Sequence, residues 1–274
     1  MPPLALALAL LAALVHATWN MLLARAPDKD AAISVGMVIG AALLTPVAVL
    51  RWRMEPGVIP WLLLSSTLEL VYFVLLASAY RRADLSLVYP IARGLAPVLV
   101  LIGSAIFLSQ LPTPERIAGV ILVAVGVLLV RGLRSPADLR NVGLAVLIAV
   151  IIASYTLVDQ QGLHYADPLP YLVVLVGIPG LIYMLAVASR GGAPRIRAAV
   201  TPSIVVGGIC VVAGYGMVLA ALTMAPASAV AAVRETSVVM ATALAAVVLH
   251  ERVEGSRWLG SVVVVAGIVL VVAG

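Results

Sequence analysis

Two arginines, Arg93 and Arg234, stand far inside apolar stretches of this 274-residue chain, where a charge has no water to face. A guanidinium at such a place can fork two N–H groups onto a carboxylate or a phosphate. Acids occur in similar settings: Glu69, Glu235 and, towards the end of its stretch, Asp159. An ionisable group in hydrocarbon costs about 2.5 kcal/mol or more, so these side chains are expected to face a bundle interior or a wet cavity. Two readings of the arginines stand side by side. They bind or gate an anionic group, or they pair permanently with Glu69, Glu235 or Asp159; the two can alternate in one cycle. Glu69 is likewise a proton carrier or the partner of an arginine.

Aromatic and hydrogen-bonding groups surround these charges at helical spacing. His16, Trp19 and Asn20 fall at i, i+3 and i+4, on one helix face. They line a cavity or join helices through hydrogen bonds worth about 0.6 kcal/mol each. Tyr72 follows Glu69 by three residues, and Tyr155 precedes Asp159 by four. Asp159 is a pocket acid or, from its place near a helix end, a residue of the interfacial water; the second is favoured. Glu235 directly follows Arg234, so in a regular helix the two point about 100° apart and cannot pair. The expected binding set is Arg93, Arg234, His16, Trp19, Asn20, Tyr72 and Tyr155, with Glu69, Glu235 and Asp159 as coupling acids or ion-pair partners. HExxH, CxxC, GxSxG and phosphate-cradling patterns are missing, so no enzyme, metal site, cofactor or ATP-driven step is expected.

The elements that hold these residues follow from composition. Apolar residues make up 64% of the chain, charged ones 11%, and the mean hydropathy is +1.18. Soluble domains are about half apolar and a quarter charged, so the bilayer is the expected solvent. The net charge of +5 is scattered through short connectors, which argues against nucleic acid as a partner. Cys210, alone of its type, excludes an intrachain disulfide and reads as a small core residue. Spanning helices need about 20 apolar residues. Cutting at charge and proline clusters predicts ten, near 3–24, 31–50, 58–80, 86–108, 115–131, 140–161, 169–189, 201–223, 227–249 and 256–273. The first has no basic leader and is too long for a signal-peptide core of about 7–15 residues.

The chain also repeats itself. At an offset of 141, Arg93 meets Arg234, Gln110 meets Glu251, Gly119 meets Gly260 and Gly126 meets Gly267; at 143, Tyr72 meets Tyr215; at 136, Trp19 meets Tyr155. Five helices are thus used twice, over 1–134 and 135–274. An odd number of spans turns the second copy upside down and puts a site between the halves near midplane. The two arginines would then flank the midplane on the order of 10–15 Å apart. Gly36 and Gly40, and the seven-residue pairs Gly119/Gly126 and Gly260/Gly267, mark faces where helix backbones can close up. Pro97 removes the i+4 donor for the Arg93 carbonyl, and Arg234 has no matching proline. A loosened turn, and asymmetry between the halves, is therefore expected beside Arg93.

This layout resembles the drug/metabolite transporter superfamily, in particular the EamA-like transporters. The segments that carry the resemblance are HATWN at 16–20, DLSLVYPIARGLAP at 84–97, ASYTLVD at 153–159 and the paired half-endings at 108–130 and 249–272. Gln110 stands where the usual half-ending has an acid. The resemblance implies an all-α polytopic membrane protein, ten transmembrane helices as two inverted five-helix repeats, working as a secondary transporter. Its expected cargo is a small polar metabolite such as an amino acid or organic anion, exported by alternating access. An exporter of hydrophobic cations and a non-transporting membrane structural protein are the alternatives. The partners expected are a small-molecule substrate and the lipid bilayer of a prokaryotic cell membrane, with a proton or counter-solute as the coupled species and room for a homodimer. Family precedent puts both termini in the cytoplasm. The odd-numbered connectors, however, hold 12 Lys and Arg against 3 in the even-numbered ones, which puts both termini outside.

Overall fold

A computed structural model describes residues 1–82, 85–131, 139–247 and 255–274. The helices are α1 (Pro3–Arg25), α2 (Lys29–Leu50), α3 (Ile59–Arg82, after a short 3-10 turn at Pro56–Val58), α4 (Leu85–Phe107), α5 (Pro114–Arg131), α6 (Leu139–Gly162), α7 (Pro168–Ala199), α8 (Pro202–Leu222), α9 (Ala227–Arg234), α10 (Thr236–Val247) and α11 (Gly255–Ala273). Seven of them, α1, α2, α3, α6, α7, α8 and α11, are long and apolar enough to cross a membrane. Backbone groups in hydrocarbon must be satisfied within the segment, and only helices or closed barrels do this. Side chains such as Leu50, Ile106, Phe107, Val262 and Val269 point outward, giving the molecule the apolar coat that lipid requires.

Two helices differ from their expected form. The seventh stretch runs on to Ala199 but turns at Gly192, whose φ of 72° suits glycine, so its straight part stops close to the expected end. The ninth, expected unbroken over 227–249, is cut into α9 and α10 at Glu235. There the Glu235 N–H bonds back to Ala232 and Val233, and the Thr236 hydroxyl donates to the Val233 carbonyl at 2.7 Å. The proline-bearing α4 stays helical through Pro90 and Pro97. The expected asymmetry exists, but the break lies beside Arg234 and not beside Arg93. The 134/135 division and Glu251 lie outside the described residues.

Helix neighbours follow the repeat. α1 packs on α8 as α6 packs on α3; α2 on α8 as α7 on α3; α4 on α6 as α9 and α10 on α1. α2 pairs with α7, and α5 with α11. Exchanging the first five stretches for the last five maps each of these contacts onto another or onto itself. At the α5–α11 seam the glycines read from the sequence face one another: a Cβ on Gly119 would lie 2.6 Å from the Gly267 carbonyl oxygen, and one on Gly126 2.8 Å from that of Gly260. Lipid tails are as apolar as leucine, so close backbone approach is what holds such helices together. The same end of the molecule gathers the termini, the Met1 amine donating to the Val272 carbonyl at 3.1 Å and Arg116 to that of Gly274 at 2.7 Å.

The α2–α7 pair is tied at both ends. At one, Asp28 caps α2 through the Ala31 N–H and takes two hydrogen bonds from Arg195, at 2.6 and 3.1 Å. At the other, Met54 bridges Ala166, and Arg53 lies 4.0 Å from Asp167.

Two outcomes follow. Gly126→Ala should lower the melting temperature of the detergent-solubilised protein by the equivalent of about 1–3 kcal/mol of overpacking. Gly143→Ala, whose added Cβ would meet nothing within 4 Å, should leave it unchanged. The Arg195 hydrogen bonds hold the Asp28 carboxyl below its ordinary value of 3.8. A depressed carboxylate stabilises the fold above its unfolded value and ceases to do so as pH falls through the lower folded one. Asp28→Asn should therefore melt earlier than the parent at pH 7, and the gap should close on acidification below about pH 3.8; a gap independent of pH would count against the tie.

Candidate functional site

At mid-depth a cavity of about 50 Å³ opens between the halves, room for a few water molecules. Its polar wall is built from five helices: His16 and Trp19 on α1, Glu69 and Tyr72 on α3, Tyr155 on α6, Tyr215 on α8 and Arg234 at the end of α9. Six of these seven belong to the set expected from the sequence. Trp19 is fully buried because glycines make a slot for its ring: a Cβ on Gly207 would come within 2.9 Å of it, and one on Gly36 within 3.7 Å. Asn20, one residue on, is half-buried and does not line the cavity. Cys210, expected as a core residue, forms part of the wall.

The tyrosines form a continuous edge-to-face run, Tyr72 to Tyr155 at 5.8 Å and Tyr155 to Tyr215 at 6.0 Å between ring centres. Such pairs add about 0.5–1.5 kcal/mol beyond their burial, and they fix the rings in place. The run ends at a charge: the Arg234 guanidinium carbon lies 5.8 Å from the centre of the Tyr215 ring, within cation–π range. Arg234 is half-buried and, among the described residues, has no carboxylate within 4.0 Å. Glu69 shares the wall with Arg234 and Tyr215 and is buried.

Its repeat mate Arg93 is placed differently. Arg93 is 5% exposed and sits 3.5 Å from Glu235, itself 3% exposed, and donates to the Ser237 hydroxyl at 3.3 Å. Adjacent residues on a helix point about 100° apart. The two neighbouring charges accordingly go to different places, Arg234 to the cavity and Glu235 to Arg93 on α4. In the structure Arg93 is paired with Glu235, and Arg234 lines the cavity.

Asp159 is not in interfacial water. It is 0% exposed and accepts hydrogen bonds from three hydroxyls on three other helices: Ser65 on α3, Tyr171 on α7 at 2.9 Å, and Tyr215 on α8. Its place near the end of α6 suggested a wet position, but side chains of α3, α7 and α8 close around it. Tyr215, Tyr171 and Ser65 were not in the expected set. Tyr215 had a signal, since the repeat aligns it with Tyr72; Ser65 and Tyr171 carry none. Beyond Asp159, the Gln110 amide donates to Gln160 at 3.2 Å, and Gln160 donates to the Leu222 and Ala225 carbonyls at 3.3 and 3.1 Å. Gln110 therefore has an amide role that a carboxylate would fill differently.

Removing one member of a buried ion pair costs about 3–5 kcal/mol, while replacing both with neutral groups is often tolerated. Arg93→Gln and Glu235→Gln should each melt well below the parent, and the double variant should recover most of the loss. Additive losses in that cycle would show that the two charges are not partners.

A profile of the EamA-like transporter family matches residues 3–132 and again residues 139–273. One solved structure, described as "Crystal structure of protein", superposes on 97% of this chain and 95% of its own with a TM-score of 0.79 at 17% sequence identity, a likeness of fold. No curated protein matches. Two copies of the family profile cover nearly the whole of a helical chain with an apolar surface and a charged cavity between its halves, and the chain belongs to the EamA-like transporter family of the drug/metabolite transporter superfamily.

Proposed function

We propose that this membrane transporter is a secondary exporter of small zwitterionic metabolites of the amino-acid type. It would have ten spans as two inverted five-helix repeats, with α9 and α10 together forming the ninth. One observation carries the reading: the cavity presents one guanidinium, Arg234, and one carboxylate, Glu69, while Arg93 is neutralised away from it by Glu235. An anion with no positive group would meet Arg234 but also Glu69 and the field of Asp159. A zwitterion offers a partner to each charge, and the tyrosine faces suit its ammonium. The cavity as it stands admits a few waters, so a solute enters only when the halves part on one side. α2–α7 and α5–α11, the pairs that map onto themselves under exchange of the halves, are natural pivots for that motion. We assign the face that carries Asp28 and Arg195 to the cytoplasm, from the surplus of Lys and Arg in its connectors.

The test is counterflow in proteoliposomes with neutral L-amino acids, each beside its des-amino acid and its decarboxylated amine. The amino acids should exchange, and both truncated analogues should fail to compete. Arg234→Gln should weaken affinity about tenfold to a hundredfold, the worth of a charge-assisted hydrogen bond of about 1.5–3 kcal/mol. A bound amino acid should also slow maleimide labelling of Cys210 in the cavity wall. Exchange of the amine alone would favour the hydrophobic-cation reading, and exchange of the des-amino acid alone an organic-anion carrier.

A further inference from the structure

A second cavity, of about 290 Å³, lies at the end of the molecule that gathers the termini. It is several times larger than the space at Arg234 and is framed by the α4–α5 connector, the end of α6 and the α8–α9 joint. Gln110, Gln160 and the joint from Leu222 to Pro226 line it, and Thr223 among them is exposed to water. Among the described lining residues none is a carboxylate, and only His164 can ionise. Recognition here therefore rests on the oxygens of amides and peptide carbonyls. α6 ends at Gly162 and α8 at Leu222, so the last carbonyls of two helices gather here with the negative ends of their dipoles.

The orientation of the two glutamine amides follows from their neighbours. The Leu222 and Ala225 carbonyls can only accept, so Gln160 turns its Nε2 to them, at 3.3 and 3.1 Å. Its Oε1 is then left for Gln110, which donates its own Nε2 at 3.2 Å. In consequence the Gln110 Oε1 is buried with no donor among the described residues. The main chain holds Gln110 in this place. Ser109 before it takes a φ of 54°, uncommon outside glycine, and the Gln110 N–H bonds back to the Ser104 carbonyl at 3.1 Å. A buried amide oxygen without a donor is rare in folded proteins. The Leu222 and Ala225 carbonyls each keep a second lone pair as well.

We infer that this vestibule is a second solute site, which takes an ammonium group between the Gln110 Oε1 and the carbonyls of the α8–α9 joint. An ammonium brings donors and no acceptor, which matches a wall of oxygens, and it gives the Gln110 Oε1 the partner it lacks. The space exceeds what a bare cation fills, and Leu163 and Met224 on its lining suit a carbon body attached to the ammonium. The site stands apart from Arg234 and shares no lining residue with the cavity there. It lies at the end opposite Asp28 and Arg195, the exit side for an exporter. That the ammonium is the exported solute's own rests on the zwitterion reading above.

The experiment uses purified full-length protein in which Thr223→Cys puts a thiol on the vestibule wall and Cys210→Ser removes the native one. Maleimide labelling of that thiol at pH 8 is followed with propylammonium, with propanol, and with sodium or potassium chloride. Propylammonium should slow labelling several-fold, and the alcohol and the salts at equal concentration should not. The neutral amino acid that exchanges best in counterflow should slow it as well. Gln110→Leu should abolish the protection. Gln110→Glu, whose ionised carboxylate offers a charged acceptor, should reach half-protection at about tenfold lower amine concentration. A merely structural role of Gln110 would not tighten binding, so this variant decides the matter even where Gln110→Leu folds poorly. Arg234→Gln should leave the protection unchanged. Equal protection by propanol or by the salts, or an unaltered half-protection in Gln110→Glu, would overturn the ammonium site. Protection by propylammonium but not by the amino acid would overturn its link to the exported solute. Absence of amino-acid exchange, with the amine still protecting, would overturn the zwitterion reading and leave the vestibule site standing.

Discussion

Charge neutrality in a medium without water is the constraint from which the interior follows. A lone guanidinium or carboxylate at this depth is costly, and that cost is relieved only by a partner or by dense hydrogen bonding. Arg93 has Glu235, and Asp159 has three hydroxyls. Arg234 and Glu69 are left sharing a small cavity with tyrosine rings. The site is therefore what remains after the structural charges have been matched. Its polarity is set by residues that need not touch a solute.

The helical step between neighbours is what separates these charges. Adjacent residues diverge by about 100°, which sends Arg234 to the cavity and Glu235 to Arg93. The boundary between α9 and α10 falls at Glu235, whose backbone stays in the right-handed helical region. Elsewhere the helices close up as tightly as backbone allows, at the glycine seam of α5 and α11 and at Gly40, where an added Cβ would meet the Gly208 carbonyl.

Much of this was legible in the sequence, and the reasons differ by feature. The helix bounds followed from apolar runs cut by charge and proline, because backbone satisfaction in lipid leaves no other local structure. The seam glycines were visible because the repeat aligned them, and Tyr215 carried the same signal through Tyr72. Helical spacing placed His16 with Trp19 and Glu69 with Tyr72 on the cavity wall. The same spacing brought Asn20 along, which is half-buried and not part of the wall. What could not be read was depth and direction. Asp159 is buried by hydroxyls from three other helices, and no pattern on α6 announces Ser65 or Tyr171. Pro97 suggested a loosened turn at Arg93, yet the loosened turn came at Glu235, which no proline marks.

The central claim is that the two repeat-related arginines have parted company, one retained as a structural charge and the other turned to the solute. An experimental structure with a neutral amino acid bound would test it most directly. The account predicts the amino acid's carboxylate against Arg234 at about 2.7–2.9 Å, with Arg93 still on Glu235. A carboxylate held by Arg93, with Glu235 displaced from it, would contradict the account.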